Sequence, residues 1–165
     1  SDELRCLALR DQLTGLYNRH FLIDAAAKHI SQAHRHKLSL CLIMVYIDHF
    51  KAVNDEHGHA VGDAVLRDVG EIFLNEARKE DIVARFGGEE FVFLLDTCDR
   101  EAGIKKAERV RQTLEAKQVQ GLAITASLGF AHLTSDEDFT GLLSRADYAL
   151  YKAKSNGRNR VEVAD

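Results

Sequence analysis

Two adjacent glutamates, Glu89 and Glu90, follow two glycines and precede a wholly apolar segment at residues 92–95. Glycine reaches positive φ angles at little cost, so Gly87 and Gly88 favour a tight hairpin with the acids at its tip. Such carboxylates must face either solvent or a cation, and Mg²⁺ prefers carboxylate oxygens. Taken alone, this string is explained equally well as a turn that carries exposed acids.

A second group of polar residues follows the most apolar segment of the chain. Residues 38–47 predict a buried strand, which runs directly into acidic, basic and amide side chains at residues 48–55. Ligand-binding residues are often carried on segments that follow rigid elements. We therefore expect a ligand site at the end of this predicted strand.

Hydrophobic periodicity predicts the elements that position these residues. Helices are predicted over residues 21–36, 64–77, 100–116 and 139–155, and strands over 38–47, 82–86, 90–95, 122–132 and 161–163. Residues 2–10 also show helical spacing, which favours the end of a helix from an upstream domain, although a lone helical start would have the same pattern. The order of elements predicts an α+β sandwich with helices packed on a largely antiparallel sheet.

Composition excludes several classes of protein. With 165 residues, 45% of them hydrophobic, the chain can bury one sizeable core. No apolar run approaches the roughly 20 residues of a membrane span, and no secretory signal begins the sequence, so we expect a cytoplasmic domain without membrane contact. The three cysteines lack metal-ligand spacing, which argues against a zinc site or a disulfide framework. A net charge of −4 disfavours a nucleic-acid partner.

Ordered motifs along the chain resemble the GGDEF family of diguanylate cyclases. They are LTGLYNR at 13–19, DHFKAVND at 48–55, GHAVGD at 58–63, GGEEF at 87–91 and a closing motif at 145–159. The resemblance covers residues 11–163. It implies a nucleotidyl cyclase-like sandwich over residues 11–165 with a GGEEF β-hairpin, preceded at residues 1–10 by a connector helix from an upstream sensory or regulatory domain.

The resemblance also implies a GTP site. It assigns guanine recognition to Asn54 and Asp63, whose amide and carboxylate complement the hydrogen-bonding edge of guanine and reject adenine. The resemblance assigns phosphate binding to positively charged side chains and to backbone amides. These residues are Lys51, Lys154, Arg158, His49 and Phe50. Taken singly, Asn54 could equally be a helix cap, Asp63 a solvated acid and each cation a surface charge.

The implied reaction joins two GTP molecules into cyclic di-GMP and releases two pyrophosphates. Each domain holds one GTP, so the reaction requires a homodimer. Glu89 corresponds to a metal ligand and Glu90 to the acid that helps activate the ribose 3′-hydroxyl, and with Lys51 they are the predicted catalytic residues. The implied cofactor is Mg²⁺ or Mn²⁺.

One residue departs from the family pattern at the metal site. Tyr46 stands where the family has an aspartate that holds metal together with Glu89 and the backbone of Ile47. A phenol is neutral at pH 7 and offers one weak oxygen, so turnover should be strongly reduced. Asp48 lies two residues further along the strand and could compensate, because alternate residues share a face.

A second site is implied by Arg78 and Asp81, which match the family's inhibitory RxxD motif for cyclic di-GMP. Arg109 resembles an additional arginine that contacts the same ligand from a neighbouring domain. An ordinary ion pair near a helix end would explain Arg78 and Asp81 without any ligand. Three functions remain open: a product-inhibited cyclase with reduced turnover, an impaired domain that acts as a receptor for cyclic di-GMP or GTP, or a structural dimerisation module that binds neither nucleotide.

Overall fold

The computed structural model describes residues 2–165, except for the side chains of Asp2, Arg5, Cys6 and Leu7. The helices are α1 (Asp2–Leu9), α2 (Arg19–His36), α3 (Phe50–His57), α4 (His59–Glu76), α5 (Arg100–Ala116) and α6 (Phe139–Ser155). The strands are β1 (Leu40–Ile47), β2 (Ile82–Arg85), β3 (Glu90–Asp96), β4 (Gln118–Val119), β5 (Leu122–Ala123), β6 (Ala126–His132) and β7 (Val161–Val163). None of the helices described is both long enough and apolar enough to cross a membrane.

A five-stranded sheet in the order β2-β3-β1-β6-β7 forms the centre of the fold. All its pairs are antiparallel except β6 with β7, which are parallel. At the β2 edge, Tyr17 forms a single bridge to Ala84 and its carbonyl accepts a hydrogen bond from the Arg85 amide at 2.9 Å. The predicted α+β sandwich with a mostly antiparallel sheet is therefore confirmed.

The alternation of side chains along β1 divides the core into two layers. Ile43, Val45 and Ile47 point to one face, where α4 and α5 cover them with residues such as Val69 and Val110. Leu40, Leu42 and Met44 point to the other face, which α2 and α6 cover. Tyr46 continues this second series, so its ring lies on the α6 side at the end of β1.

Three local features differ from the sequence predictions. Helix α3 has only one buried residue, Phe50, so it shows no apolar period. The strand predicted over 122–132 is divided between two sheets: β5 pairs with β4 in a small hairpin, turned by Gln120 and Gly121 with positive φ angles of 53° and 72°, whereas β6 belongs to the five-stranded sheet. The third difference concerns Gly87 and Gly88, neither of which has a positive φ. Residues 86–89 connect β2 to β3 as a four-residue loop, which does not require positive φ.

Gly129 on β6 allows α6 to lie close to the sheet. A Cβ atom at this position would be 2.1 Å from the Ala146 carbonyl oxygen and 2.4 Å from the Leu150 amide nitrogen. These are backbone atoms, so no side-chain rotation can relieve the overlap. Glycine at 129 therefore permits the short distance between α6 and the sheet. The last turn of α6 reaches the end of β1.

Replacing Gly129 by alanine is expected to lower the free energy of unfolding by about 1–3 kcal/mol, because overpacking forces backbone shifts. Urea denaturation measures this loss. Gly88→Ala is the matched control, because a Cβ there meets nothing within 4 Å, and it should change stability by less than about 0.5 kcal/mol. Equal stability of the two variants would contradict the proposed close packing of α6.

Candidate active site

The β2-β3 loop and the end of β1 are joined by backbone hydrogen bonds. Glu90 is the cross-strand partner of Tyr46, and the Ile47 amide donates to the Glu89 carbonyl at 3.1 Å. Within the loop, the Phe86 amide donates to the Glu90 carbonyl at 2.8 Å. Directly opposed residues of neighbouring strands share a face, so Glu90 lies beside the Tyr46 ring.

Arg85 holds the loop from its other side. Its Nε and Nη2 atoms donate to the Gly88 carbonyl at 3.1 and 2.8 Å, and its Nη1 atom lies 3.2 Å from Asp11 Oδ1. The LTGLYNR segment and the hairpin are thus tied together by one side chain. Arg85 was absent from the sequence predictions, since a single arginine at the end of a strand carries no distinguishing signal.

The beginning of α3 presents free backbone amides next to the end of β1. His49 takes a left-handed conformation with φ 57° and turns the chain sharply from β1 into α3, with no side chain capping the helix. The first intrahelical bond is donated by Val53 to the His49 carbonyl, so earlier amides have no intrahelical acceptor. Phe50 is buried and Lys51 is exposed. Helix N-termini of this kind favour phosphate groups.

The two predicted guanine-reading residues lie across the junction between α3 and α4. Gly58, with φ 89°, separates the two helices. A Cβ at Gly62 would be 1.8 Å from Asn54 Oδ1, so the Asn54 side chain packs directly over Gly62, and Asp63 follows with its side chain exposed. The missing side chain at 62 makes room for the Asn54 amide, and Asp63 is the next residue along α4.

Two cations lie over the Tyr46 ring, Lys154 from the last turn of α6 and Arg158 from the loop that follows it. Lys154 Nζ lies 3.6 Å from the ring centroid and Arg158 Cζ lies 5.6 Å from it. Cation–π contacts of this type contribute about 0.5–2 kcal/mol, depending on desolvation. Two of the three predicted phosphate-binding cations therefore lie against the residue that replaces the family's aspartate.

The Tyr46 phenol is held in its neutral form. Burial raises its pKa, and the neighbouring Glu89 carboxylate raises the pKa further, while Arg158 opposes the change. Glu89 favours the protonated phenol because a phenolate beside a carboxylate would be repelled. Tyr46 thus supplies no negative charge to a metal at neutral pH.

Glu90 has an altered acidity as well. Burial raises its pKa and Asp147 and Glu89 add to the rise, whereas Lys154 and Arg19 oppose it. A carboxylate with a raised pKa is a stronger proton acceptor near neutral pH. This is the property that a base next to a ribose hydroxyl requires.

The Asp48 carboxylate is the centre of a buried hydrogen-bond network. Its side chain is 1% exposed and accepts hydrogen bonds from Thr125 Oγ1 at 2.8 Å, Ser127 Oγ at 2.7 Å and the Asn159 amide at 3.0 Å. Arg158 Nη1 lies 3.7 Å away. Strand β1 ends at Ile47, so the alternation that suggested Asp48 as a substitute metal ligand does not extend to it. The geometry argues against that compensation.

The side chains at this end of the sheet do not fit a divalent metal well. Glu89 keeps a carboxylate, but its expected partner is the neutral Tyr46 and the next acid, Asp48, is fully hydrogen-bonded. Within the part of the chain that the structure describes, no group of three or more His, Cys, Asp or Glu residues could hold a metal ion. A hard cation such as Mg²⁺ needs charged oxygen ligands, and Glu89 alone is a poor site for one.

The RxxD pair lies at the opposite end of β3. Arg78 Nη2 donates to Asp81 Oδ1 at 2.9 Å and to the Asp96 carbonyl at 2.5 Å, and the Arg78 amide donates to Asp81 Oδ2 at 2.9 Å. The Asp81 side chain is fully buried, whereas that of Arg78 is 41% exposed. The ion pair that explains this motif without a ligand is therefore present.

A groove of about 410 Å³ borders this pair. Arg109 lines the groove together with Arg78 and Asp81 of the same chain, and its Nε atom lies 3.0 Å from Glu76. Lys105 and Lys106 add positive charge. A groove with this lining has the charge and the hydrogen-bond donors that a phosphate-containing ligand requires.

Comparisons with known proteins agree with this architecture. The family model for the diguanylate cyclase GGDEF domain matches residues 8–160. The diguanylate cyclase DgcP of Pseudomonas aeruginosa is 41% identical over 167 residues, covering 99% of this chain and 25% of that protein. The diguanylate cyclase DosC of Escherichia coli is 37% identical over 158 residues, covering 93% of this chain and 34% of that protein. The chain thus spans about a quarter to a third of these relatives.

Solved structures give the same result. The coiled coil and GGDEF domain of DgcB from Caulobacter crescentus, in complex with c-di-GMP, has a TM-score of 0.94 at 32% identity, covering 99% of this chain and 89% of that one. The active GGEEF domain of a diguanylate cyclase from Vibrio cholerae has a TM-score of 0.86 at 34% identity, covering 90% and 97%. This chain belongs to the GGDEF domain family of diguanylate cyclases.

Proposed function

We propose that this domain binds GTP between the hairpin, α3 and the end of α6, and that it forms cyclic di-GMP with strongly reduced turnover. The observation that carries the proposal is the position of Tyr46 beside Glu89 and Glu90, under Lys154, in an otherwise complete GGEEF site. The residues that we propose for recognition of the base and the phosphates are all retained, and Glu89 is retained as one charged metal ligand. The second charged ligand, at position 46, is missing.

In this proposal Asn54 and Asp63 bind the guanine, and the free amides at the start of α3 bind phosphate oxygens with Lys51. The ribose 3′-oxygen of one GTP attacks the α-phosphorus of the other, the bond to pyrophosphate breaks, and Glu90 accepts the hydroxyl proton. Two such steps close the ring. Each domain contributes one GTP, so the active species is a homodimer with two-fold symmetry.

The partners in this proposal are GTP, cyclic di-GMP, a second copy of the domain, and an upstream domain that delivers its signal through α1. We expect Mg²⁺ or Mn²⁺ to bind more weakly than in a domain with the aspartate. The use of GTP is our reason for proposing a cytoplasmic location. The loss of turnover in this proposal comes from the loss of one charged metal ligand, at position 46.

Replacing Asp63 by asparagine tests the proposed base recognition. The change removes a charged acceptor, so GTP affinity should fall by about tenfold or more. Isothermal titration calorimetry with GTP measures it. Glu71→Gln is the matched control, because Glu71 is an exposed acid on the same helix α4 and should leave affinity unchanged. Wild-type affinity in the Asp63→Asn variant would refute this binding mode.

The groove beside Arg78 supports a second candidate function, a receptor for cyclic di-GMP. Replacing Arg109 by alanine should weaken cyclic di-GMP binding by about tenfold, because Arg109 is 62% exposed and can turn from Glu76 toward a phosphate. Calorimetry with cyclic di-GMP measures this change. The control is Arg67→Ala, an exposed arginine on α4.

Arg78→Ala is a harsher variant, because it leaves the buried Asp81 carboxylate without its cation. We expect it to abolish cyclic di-GMP binding and also to lower stability. Undiminished binding in both the Arg109→Ala and Arg78→Ala variants would refute the placement of this ligand in the groove.

A further inference from the structure

Lys154 supplies a positive charge next to Glu90. Lys154 Nζ lies 3.6 Å from the centre of the Tyr46 ring, and Tyr46 is the cross-strand neighbour of Glu90. An aspartate at position 46 would repel the adjacent carboxylates and would need a cation to join them. An aromatic ring has no such requirement and instead attracts the lysine directly through its negative face.

The position of Lys154 follows from the packing of α6. Gly129 lets the backbone of α6 approach β6, and Ala153, the neighbour of Lys154, is fully buried. The ammonium therefore reaches the ring from a fixed helix turn. Its charge also acts on Glu90, as does that of Arg19.

Arg158 completes the arrangement. It has a positive φ of 65°, and its Nη1 atom is buried without a hydrogen-bond partner, 3.7 Å from Asp48 Oδ1. Its guanidinium carbon lies 5.6 Å from the ring centre. A buried guanidinium nitrogen without an acceptor has an unused donor, and phosphate oxygens are the acceptors that guanidinium groups bind best.

We propose that the Lys154 ammonium, held on the Tyr46 ring beside Glu90, takes the charge-balancing place of a divalent metal, so that this domain binds guanine nucleotide without one. The inference rests on the proposed GTP site. A lysine ammonium has three N–H donors, so the face turned away from the ring can bind phosphate oxygens. The Tyr46 hydroxyl is not essential in this arrangement, whereas the ring is.

Calorimetry with the α,β-methylene analogue of GTP, in excess magnesium chloride and in EDTA, tests the inference without turnover. The dissociation constants of the wild-type domain in the two buffers should agree within about threefold. Tyr46→Phe should keep that ratio because it keeps the ring. Tyr46→Asp should bind at least about tenfold more weakly in EDTA than in magnesium.

Lysine variants supply a matched pair for the same experiment. Lys154→Met should weaken binding in both buffers. Lys152→Met should not, although Lys152 also lies over a ring on α6, at 5.1 Å from the Tyr148 centre. If the wild-type domain binds the analogue in magnesium but loses about tenfold or more in EDTA, the inference is overturned and the GTP site stands. Absence of binding in both buffers refutes the GTP site itself, and the inference with it.

Discussion

Replacing Tyr46 by aspartate is expected to raise the rate of cyclic di-GMP formation by about a hundredfold at saturating GTP and Mg²⁺. The substitution exchanges a neutral phenol for a charged oxygen ligand beside Glu89, and it removes the ring on which Lys154 rests. Stabilisation of charge at the reacting phosphate by a metal amounts to several kcal/mol, of which about 3 kcal/mol gives this factor. Chromatographic quantification of cyclic di-GMP at high domain concentration, which favours the dimer, measures the rate.

Tyr46→Asn separates charge from bulk. Asparagine has nearly the shape of aspartate but no charge, so it relieves crowding without supplying a good metal ligand. We expect its rate to stay within about tenfold of the wild-type rate. An equal gain in both variants would show that the ring obstructs the site sterically, and a wild-type rate as high as that of Tyr46→Asp would refute the proposed loss of turnover.

Replacing Asp48 by alanine is expected to lower the free energy of unfolding by about 3–5 kcal/mol, the usual cost of removing one partner from a buried charged network. The loss leaves the hydroxyls of Thr125 and Ser127 and the Asn159 amide without their shared acceptor, and it leaves the Arg158 guanidinium without the carboxylate that lies 3.7 Å from it. Urea denaturation followed by circular dichroism gives the change, provided that the m-value is constant.

A milder variant keeps this prediction testable if the alanine protein does not fold. Asp48→Asn retains one acceptor oxygen, so it should lose only about 1–3 kcal/mol. Asp55→Ala removes an exposed acid on α3 and should stay within about 0.5 kcal/mol of the wild type. An Asp48→Ala protein as stable as Asp55→Ala would show that the network is not important for stability.

The sequence predicted the fold class and most elements because apolar periodicity reports which face of an element is buried. Residues 100–116, 139–155 and 161–163 form α5, α6 and β7 with the predicted bounds. Helix α3 was missed because only Phe50 is buried there, so the segment shows no apolar periodicity. Its start depends on the left-handed conformation of His49, which side-chain type does not reveal.

The sequence identified the candidate site residues but not the contacts between them. The motif order placed Glu89, Asn54 and Asp63 in one site, and it identified Tyr46 as the unusual residue. It did not reveal that Lys154 stacks on Tyr46, because that contact depends on how closely α6 approaches β6 at Gly129. It also suggested Asp48 as a substitute metal ligand, whereas the carboxylate is buried among donors from β6 and from the loop after α6.

The bridge between Tyr17 and β2 has a consequence for self-association. Edge strands expose unpaired amides and carbonyls to which strands of other molecules can add. The Arg85 amide is already taken by the Tyr17 carbonyl, and the loop containing Tyr17 is tied to the hairpin through Asp11 and Arg85. The segment before α2 therefore covers this edge of the sheet and protects it against edge-to-edge association through β2.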